Sequence, residues 1–205
     1  MNTPERDLII LHGFPGAGKT TQSRRLCEEN ADIGHISIGE VWRGVMNGVI
    51  DSQYSEQVMS QDITKKQSDN LTNRLLFEAL QRLDSSQQVI LVDGYPRYET
   101  AIEPFFLMTE EKRCRILGGV CLELSIDDSV DRVEGRGVRV GEERFLVKGI
   151  SSRDKYVSFY ENTYLKTIPR LRTLIDMSTI DASRDVDEVY ESTKSEIYRL
   201  LKRKI

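Results

Sequence analysis

Eight consecutive residues, Gly13-Phe14-Pro15-Gly16-Ala17-Gly18-Lys19-Thr20, have the order G-x-x-x-x-G-K-T directly after the apolar run Leu8–Leu11 and directly before a helical pattern. In that context the glycines let backbone N–H groups curl around phosphate oxygens, and the helix that follows adds its positive end. Lys19 would reach the outer phosphates and the Thr20 hydroxyl could ligate Mg²⁺. Nucleotide phosphate is therefore the expected ligand of Gly13, Pro15, Gly16, Ala17, Gly18, Lys19, Thr20 and Thr21. Asp93 closes the apolar run Val89–Val92, where a carboxylate needs a partner. A water-ligated Mg²⁺ beside Thr20 would supply one, and a capping or turn role is the competing reading. Arg97, just past the same run, could grip a phosphate with two parallel hydrogen bonds. Arg132 and Arg136 are four apart and share one face if the segment is helical.

These groups need a scaffold, and the chain supplies an alternation of short apolar runs with longer helical patterns. Strands are expected near Asp7–Leu11, His35–Ser37, Val89–Val92, Leu117–Leu124 and Met177–Ile180. Helices are expected over Lys19–Glu29, Glu40–Met46, Thr64–Leu83, Glu99–Leu107, Ser129–Gly135, Ser152–Leu174 and Val186–Lys202. The plan is α/β: a doubly wound, parallel, five-stranded sheet flanked by helices, with Arg97 at the strand edge where such sheets bind ligands. The last helix should pack Val186, Val189, Tyr190, Ile197 and Leu200 on the sheet. Between Arg136 and Ser151 glycines interrupt an arginine-rich stretch, which reads as loop or short hairpin.

Four blocks resemble the adenylate kinase family and the related uridylate/cytidylate kinases. They are Gly13 to Gln22, His35 to Arg43, Asp93-Gly94-Tyr95-Pro96-Arg97, and Asp131 to Arg136, followed by Ile180-Asp181-Ala182 and Val186 to Val189. The resemblance runs from about residue 7 to residue 200 and implies one P-loop NTPase kinase domain of a short-lid form. Its core would be about 1–36, 85–131 and 152–205, with a helical acceptor-binding insertion about 37–84 and a lid about 132–151. It implies transfer of the γ-phosphoryl of ATP, with Mg²⁺ as cofactor, to a nucleoside monophosphate such as AMP. Lys19, Arg97, Arg132 and Arg136 would be catalytic, with Arg132 also on ATP. Ser37, Ile38, Gly39, Arg43, Gly94, Arg97 and Ala101 would hold the acceptor. The lid cations would come from Arg139 or Arg144, and from Arg153 or Lys155.

Ala101, Ile38 and the pair Lys65-Lys66, where a proline is common, depart from the family pattern on the acceptor side. Ala101 stands where adenylate kinases carry a glutamine that bonds the acceptor base, and Ile38 where a threonine is usual. The acceptor base thus stays open between AMP and another monophosphate such as UMP or CMP. A nucleotide-binding module without catalysis is the reading from a different class.

Composition narrows the remaining classes. With 205 residues, 39% hydrophobic and 30% charged, the chain can bury a full core without disulfides or a structural metal. A net charge of −4 argues against wrapping a nucleic-acid backbone. The three cysteines, Cys27, Cys114 and Cys121, fit no zinc spacing and read as reduced structural thiols. Neither a signal peptide nor a membrane-spanning run is expected, so the expectation is a cytoplasmic monomer that binds ATP and a monophosphate.

Overall fold

The computed structural model describes residues 6–61, 67–134, 137–140, 143–146, 157 and 160–202. The central sheet is built from β1 (Arg6–Gly13), β2 (Ile33–Ser37), β3 (Val89–Asp93), β4 (Cys114–Glu123) and a later strand, β7 (Met177–Asp181). All pair in parallel in the order β2-β3-β1-β4-β7. β1 lies at the centre, and every one of its residues is buried. That two-sided burial explains why its sequence is a continuous apolar run without alternation. Neighbours β3 and β4 flank β1 on opposite sides, so the chain switches direction at its C-terminal end, where doubly wound sheets open a ligand crevice.

Helices α1 (Lys19–Glu29), α2 (Ile38–Met46), α3 (Ser55–Met59), α4 (Asp69–Arg82), α5 (Glu99–Glu111) and α6 (Ile126–Glu134) follow in chain order. After α6 come an antiparallel hairpin, β5 (Gly137–Val140) with β6 (Glu143–Leu146), and a π-type turn at Tyr160–Tyr164. The described chain closes with α7 (Leu165–Arg172), β7 and α8 (Val186–Lys202). The α4 helix starts where Ser68 accepts a hydrogen bond from the Leu71 N–H, an N-cap that satisfies one orphan donor. Its far end is closed by Arg6, which is buried on β1 and donates to the carbonyls of Leu80, Leu83 and Asp84.

The expected strands are all present, and the helices Lys19–Glu29 and Val186–Lys202 have the expected bounds. Three expectations need correction, and one element was missed. The helix expected over Thr64–Leu83 begins at Asp69, with residues 62–66 outside the described set. Within the helix expected over Ser152–Leu174 the structure describes α7, preceded by the wide turn at Tyr160–Tyr164, and most of the span's first half lies outside the described residues. The short helix α3 was not expected. Val186 is half exposed and does not belong to the packed face of α8, which is Val189, Tyr190, Thr193, Ile197 and Leu200. Between Arg136 and Ser151 the described residues form the hairpin reading.

The main core runs along both faces of the sheet. A second apolar cluster of Trp42, Val45, Val58, Leu71 and Leu75 sits between α2, α3 and α4. Strand β5 comes into contact with α2, so the hairpin after α6 reaches the helix that follows β2. No helix among the described residues is long and apolar enough to cross a membrane.

Candidate active site

The glycine-rich loop connects β1 to α1 and is shaped by its neighbours. Gly13 has φ +136°, and a Cβ there would lie 2.2 Å from the Leu122 carbonyl oxygen, so only glycine lets β4 pass this closely. On the other side α6 packs onto the loop. Buried Ser129 donates to the Pro15 carbonyl at 2.6 Å, and a Cβ on Gly16 would come within 3.2 Å of the Arg132 Cβ. Lys19, the first residue of α1, folds back and donates to the carbonyls of Gly13 and Phe14, each at 2.9 Å. The α1 N-terminus has no side-chain cap, and its N-cap residue is Gly18 in the left-handed region. Its positive end therefore points into the loop.

Thr20 and Asp93 meet across the crevice, the hydroxyl donating to the carboxylate at 2.6 Å. Asp93 is 3% exposed. Burial pushes its pKa up, but His35, Lys19 and the Thr20 bond together hold it below the usual carboxylate value. The His35 Nε2 lies 3.6 Å from the same carboxylate oxygen. An ionised carboxylate beside a threonine hydroxyl suits Mg²⁺, which keeps most of its waters and needs few protein oxygens. Among the described residues no group of three or more His, Cys, Asp and Glu is placed to hold a metal alone.

Beyond Asp93 the chain turns through Gly94, at φ +77°, and delivers Arg97. The Arg97 backbone is pinned from below by buried Thr167 on α7, which donates to its carbonyl at 3.1 Å. Arg43, on α2, lies over Gly39, where an added Cβ would sit 3.2 Å from one guanidinium nitrogen. Burial lowers the Arg43 pKa, Glu40 opposes that, and the charge of Arg97 lowers it further. Two guanidinium groups within electrostatic reach of each other favour an anion between them.

On the opposite side of the loop, Ala17, Gly18 and Thr21 share a cavity of about 200 Å³ with Arg132, Ala182 and Val186. The Arg132 guanidinium contacts the Ser183 carbonyl at 3.5 Å, at the rim of this space. The structure thus brings Lys19, Thr20, Asp93, Arg43 and Arg97 to one edge of the sheet, with Arg132 beside the loop. It places Ile38 and Ala101 in the core, 3% and 0% exposed, while Ser37 and Gly39 are half-buried. Arg139 and Arg144 are cross-strand partners in the hairpin, so the two competing registers converge on one backbone pair. Arg136, Arg153 and Lys155 lie outside the described residues.

Three groups escaped the sequence reading. Ser129 and Thr167 act through backbone carbonyls, which no spacing rule announces. His12 did carry a signal, a polar residue ending an otherwise apolar strand. It is 3% exposed, and its Nδ1 accepts from the Gly13 N–H at 2.8 Å.

A parallel sheet whose central strand feeds a glycine-rich loop, with Lys-Thr opening the next helix and an aspartate closing the neighbouring strand, defines a P-loop nucleotide-binding protein. The family model described as an AAA domain matches residues 12–144, and the chain belongs to that family. It is also similar to curated adenylate kinases. That of Petrotoga mobilis is 32% identical over 131 residues, covering 63% of this chain and 58% of the relative. That of Caldanaerobacter subterraneus is 29% identical over the same shares. That of Streptococcus pneumoniae is 29% identical over 143 residues, 67% of this chain and 64% of the relative. The chain therefore spans about 58–64% of the length of these relatives.

Proposed function

We propose that the protein transfers the γ-phosphoryl group of ATP to a nucleoside monophosphate, with AMP the leading acceptor and ADP the product on both sides. The observation that carries this reading is the convergence of Lys19, Arg43 and Arg97 with Asp93 at one sheet edge. A module that only bound ATP would need the loop but not a second pair of cations across the crevice.

In this reading the loop amides and Lys19 hold the donor phosphates, and the cavity beside Arg132 takes the donor base. Arg43 and Arg97 clamp the acceptor phosphate opposite. Mg²⁺ would be held by Thr20 and, through water, by Asp93, and when bound it would neutralise charge on the donor phosphates. Alignment and fixed positive charge are most of what phosphoryl transfer requires, so no covalent nucleophile is assigned. Residues 37–84 form the acceptor-binding insertion, and the hairpin is part of a short lid, about 132–151, whose approach to α2 would exclude water from the phosphates. Arg136 and a cation from Arg139 or Arg144 belong to that lid, and Arg153 or Lys155 would supply the further cation just beyond it.

With Ala101 and Ile38 buried where the family carries base-side polar groups, a second reading stays open, in which the acceptor is UMP or CMP. Neither side chain can offer a hydrogen bond to adenine. Purified protein is given ATP, Mg²⁺ and each monophosphate in turn, and product is resolved by chromatography. AMP should be turned over fastest. AMP turnover no better than that of UMP and CMP would overturn the adenylate assignment, and no transfer to any acceptor would overturn the kinase assignment.

A further inference from the structure

Between α4 and α5 the surface opens into a groove of about 810 Å³, and none of its described lining residues belongs to the site above. Asn73 and Phe77, one turn apart on α4, are its most buried members, and Tyr54, Pro104, Leu107 and Met108 line it with them. Most polar groups along the rim answer one another. Arg74 donates through Nε to the Asn70 carboxamide oxygen at 3.0 Å, Thr100 donates to Asp69 at 2.7 Å, and Lys112 to Glu111 at 2.8 Å. Asn73 differs. It is 1% exposed, and its Oδ1 is buried without a hydrogen-bond partner among the described residues. An unanswered buried carbonyl costs free energy, and asparagine is also a poorer helix former than leucine. The buried positions that follow on α4, Leu75, Leu76 and Phe77, are apolar, so packing alone gives no reason for an amide here.

We propose that this groove binds an uncharged, planar heteroaromatic ligand, an aminopurine as free base or nucleoside, through the Asn73 carboxamide. A carboxamide sets an acceptor beside a donor. The edge that complements it carries an amino N–H next to a ring nitrogen, as the N6 and N7 positions of adenine do. Tyr54 and Phe77 offer aromatic surface to such a ring, and Met108 a polarisable one. Charge separates this ligand from the nucleotides of the phosphate site. Asp69, Glu78 and Glu111 line the groove against Arg74 and Lys112, three carboxylates to two cations, so a phosphate would meet a net negative wall. The groove volume falls within the range usual for small-molecule sites.

Occupancy can be read without catalysis, from the methyl NMR signals of Leu107 and Met108 in the 205-residue chain. Adenosine and adenine are the probes, and both should give saturable shifts with a Kd below about 1 mM. Equal affinity for the two would assign recognition to the base alone, and tighter adenosine would add the ribose. Purine riboside, which lacks the amino donor, and AMP, which adds a phosphate, should each bind the groove at least about fivefold more weakly. Arg97→Ala should leave the adenosine shifts at these methyls unchanged, which separates the groove from the phosphate site. Asn73→Leu, close in shape, should weaken adenosine at least about tenfold and yet unfold in urea at the same or a higher midpoint, because the orphaned group is gone. The proposal is overturned by absence of saturable shifts with both probes, by AMP or purine riboside binding as tightly as adenosine, or by loss of the shifts in Arg97→Ala. Unchanged adenosine binding in Asn73→Leu would overturn it too. So would a lower urea midpoint for that variant, by showing that the amide serves the fold rather than a ligand.

Discussion

The buried imidazole of His12 should make folding stability depend on pH in a range where few other groups titrate. In the folded protein its pKa is lowered from 6.5 to about 3, by burial and then by Lys19 and Arg97. In the unfolded chain it returns to about 6.5. Above pH 6.5 both states are neutral and the group contributes no pH dependence. Below it, the unfolded chain takes up a proton that the folded protein refuses, so stability falls as pH falls, down to about pH 3. At pH 5 the unfolded value is about 1.5 units above ambient, and at about 1.36 kcal/mol per unit the loss is about 2 kcal/mol relative to pH 8. The carboxylates with lowered pKa, such as Asp93 and Asp181, start from 3.8 and so contribute little between pH 8 and pH 5. The only other histidine, His35, is common to wild type and variant. Urea unfolding of wild type and His12→Asn at pH 8, 6 and 5 isolates the effect. The stability gap between them should shift by about 2 kcal/mol in favour of the variant on going from pH 8 to pH 5. Parallel pH profiles would show that His12 is protonated in the folded state or open to solvent, and would refute the reasoning.

Three further outcomes follow from contacts in the site and its supports. Arg97→Ala should leave ATP affinity within about twofold and cut kcat/KM for the acceptor by at least about 100-fold, read from steady-state kinetics with each substrate varied; an equal loss for both substrates would contradict its assignment to the acceptor side. Gly13→Ala places a methyl group 2.2 Å from the Leu122 carbonyl at a φ of +136°, so it should destabilise by at least about 2 kcal/mol in chemical denaturation. Arg6→Met keeps the buried stem but leaves the carbonyls of Leu80, Leu83 and Asp84 without its donors, and should cost about 2–3 kcal/mol in the same assay.

What the sequence disclosed, and what it did not, follows from the range of the interactions involved. The β1 strand and the loop after it were legible because burial on both faces demands an unbroken apolar run, and because phosphate cradling demands glycines at fixed offsets. The helix α1 could be bounded correctly because Gly18 and Asn30 bracket it locally. In contrast, the start of α4 was missed because its signal is a single capping serine, Ser68, after a charged stretch that also suits a helix. The wide turn at Tyr160–Tyr164 was missed because it depends on tertiary contact: Tyr164 stacks on Phe14 at 5.0 Å and donates to Glu123 at 2.7 Å. On the acceptor side, the family resemblance pointed to Arg43, and the strand end with that resemblance to Arg97, but neither could show that Ala101 is turned wholly into the core. The pins on Pro15 and on the Arg97 carbonyl, from Ser129 and Thr167, span 114 and 70 residues, and nothing in local pattern encodes them.

The central claim is that two nucleotides meet here phosphate to phosphate. ATP carrying a label in its γ-phosphoryl group, incubated with protein, Mg²⁺ and unlabelled AMP, distinguishes transfer to the acceptor from hydrolysis by water. The expected result is label in the β-position of newly formed ADP, abolished by Lys19→Met in a variant that still folds. Label appearing only in inorganic phosphate, or transfer that survives the loss of Lys19, would contradict the account.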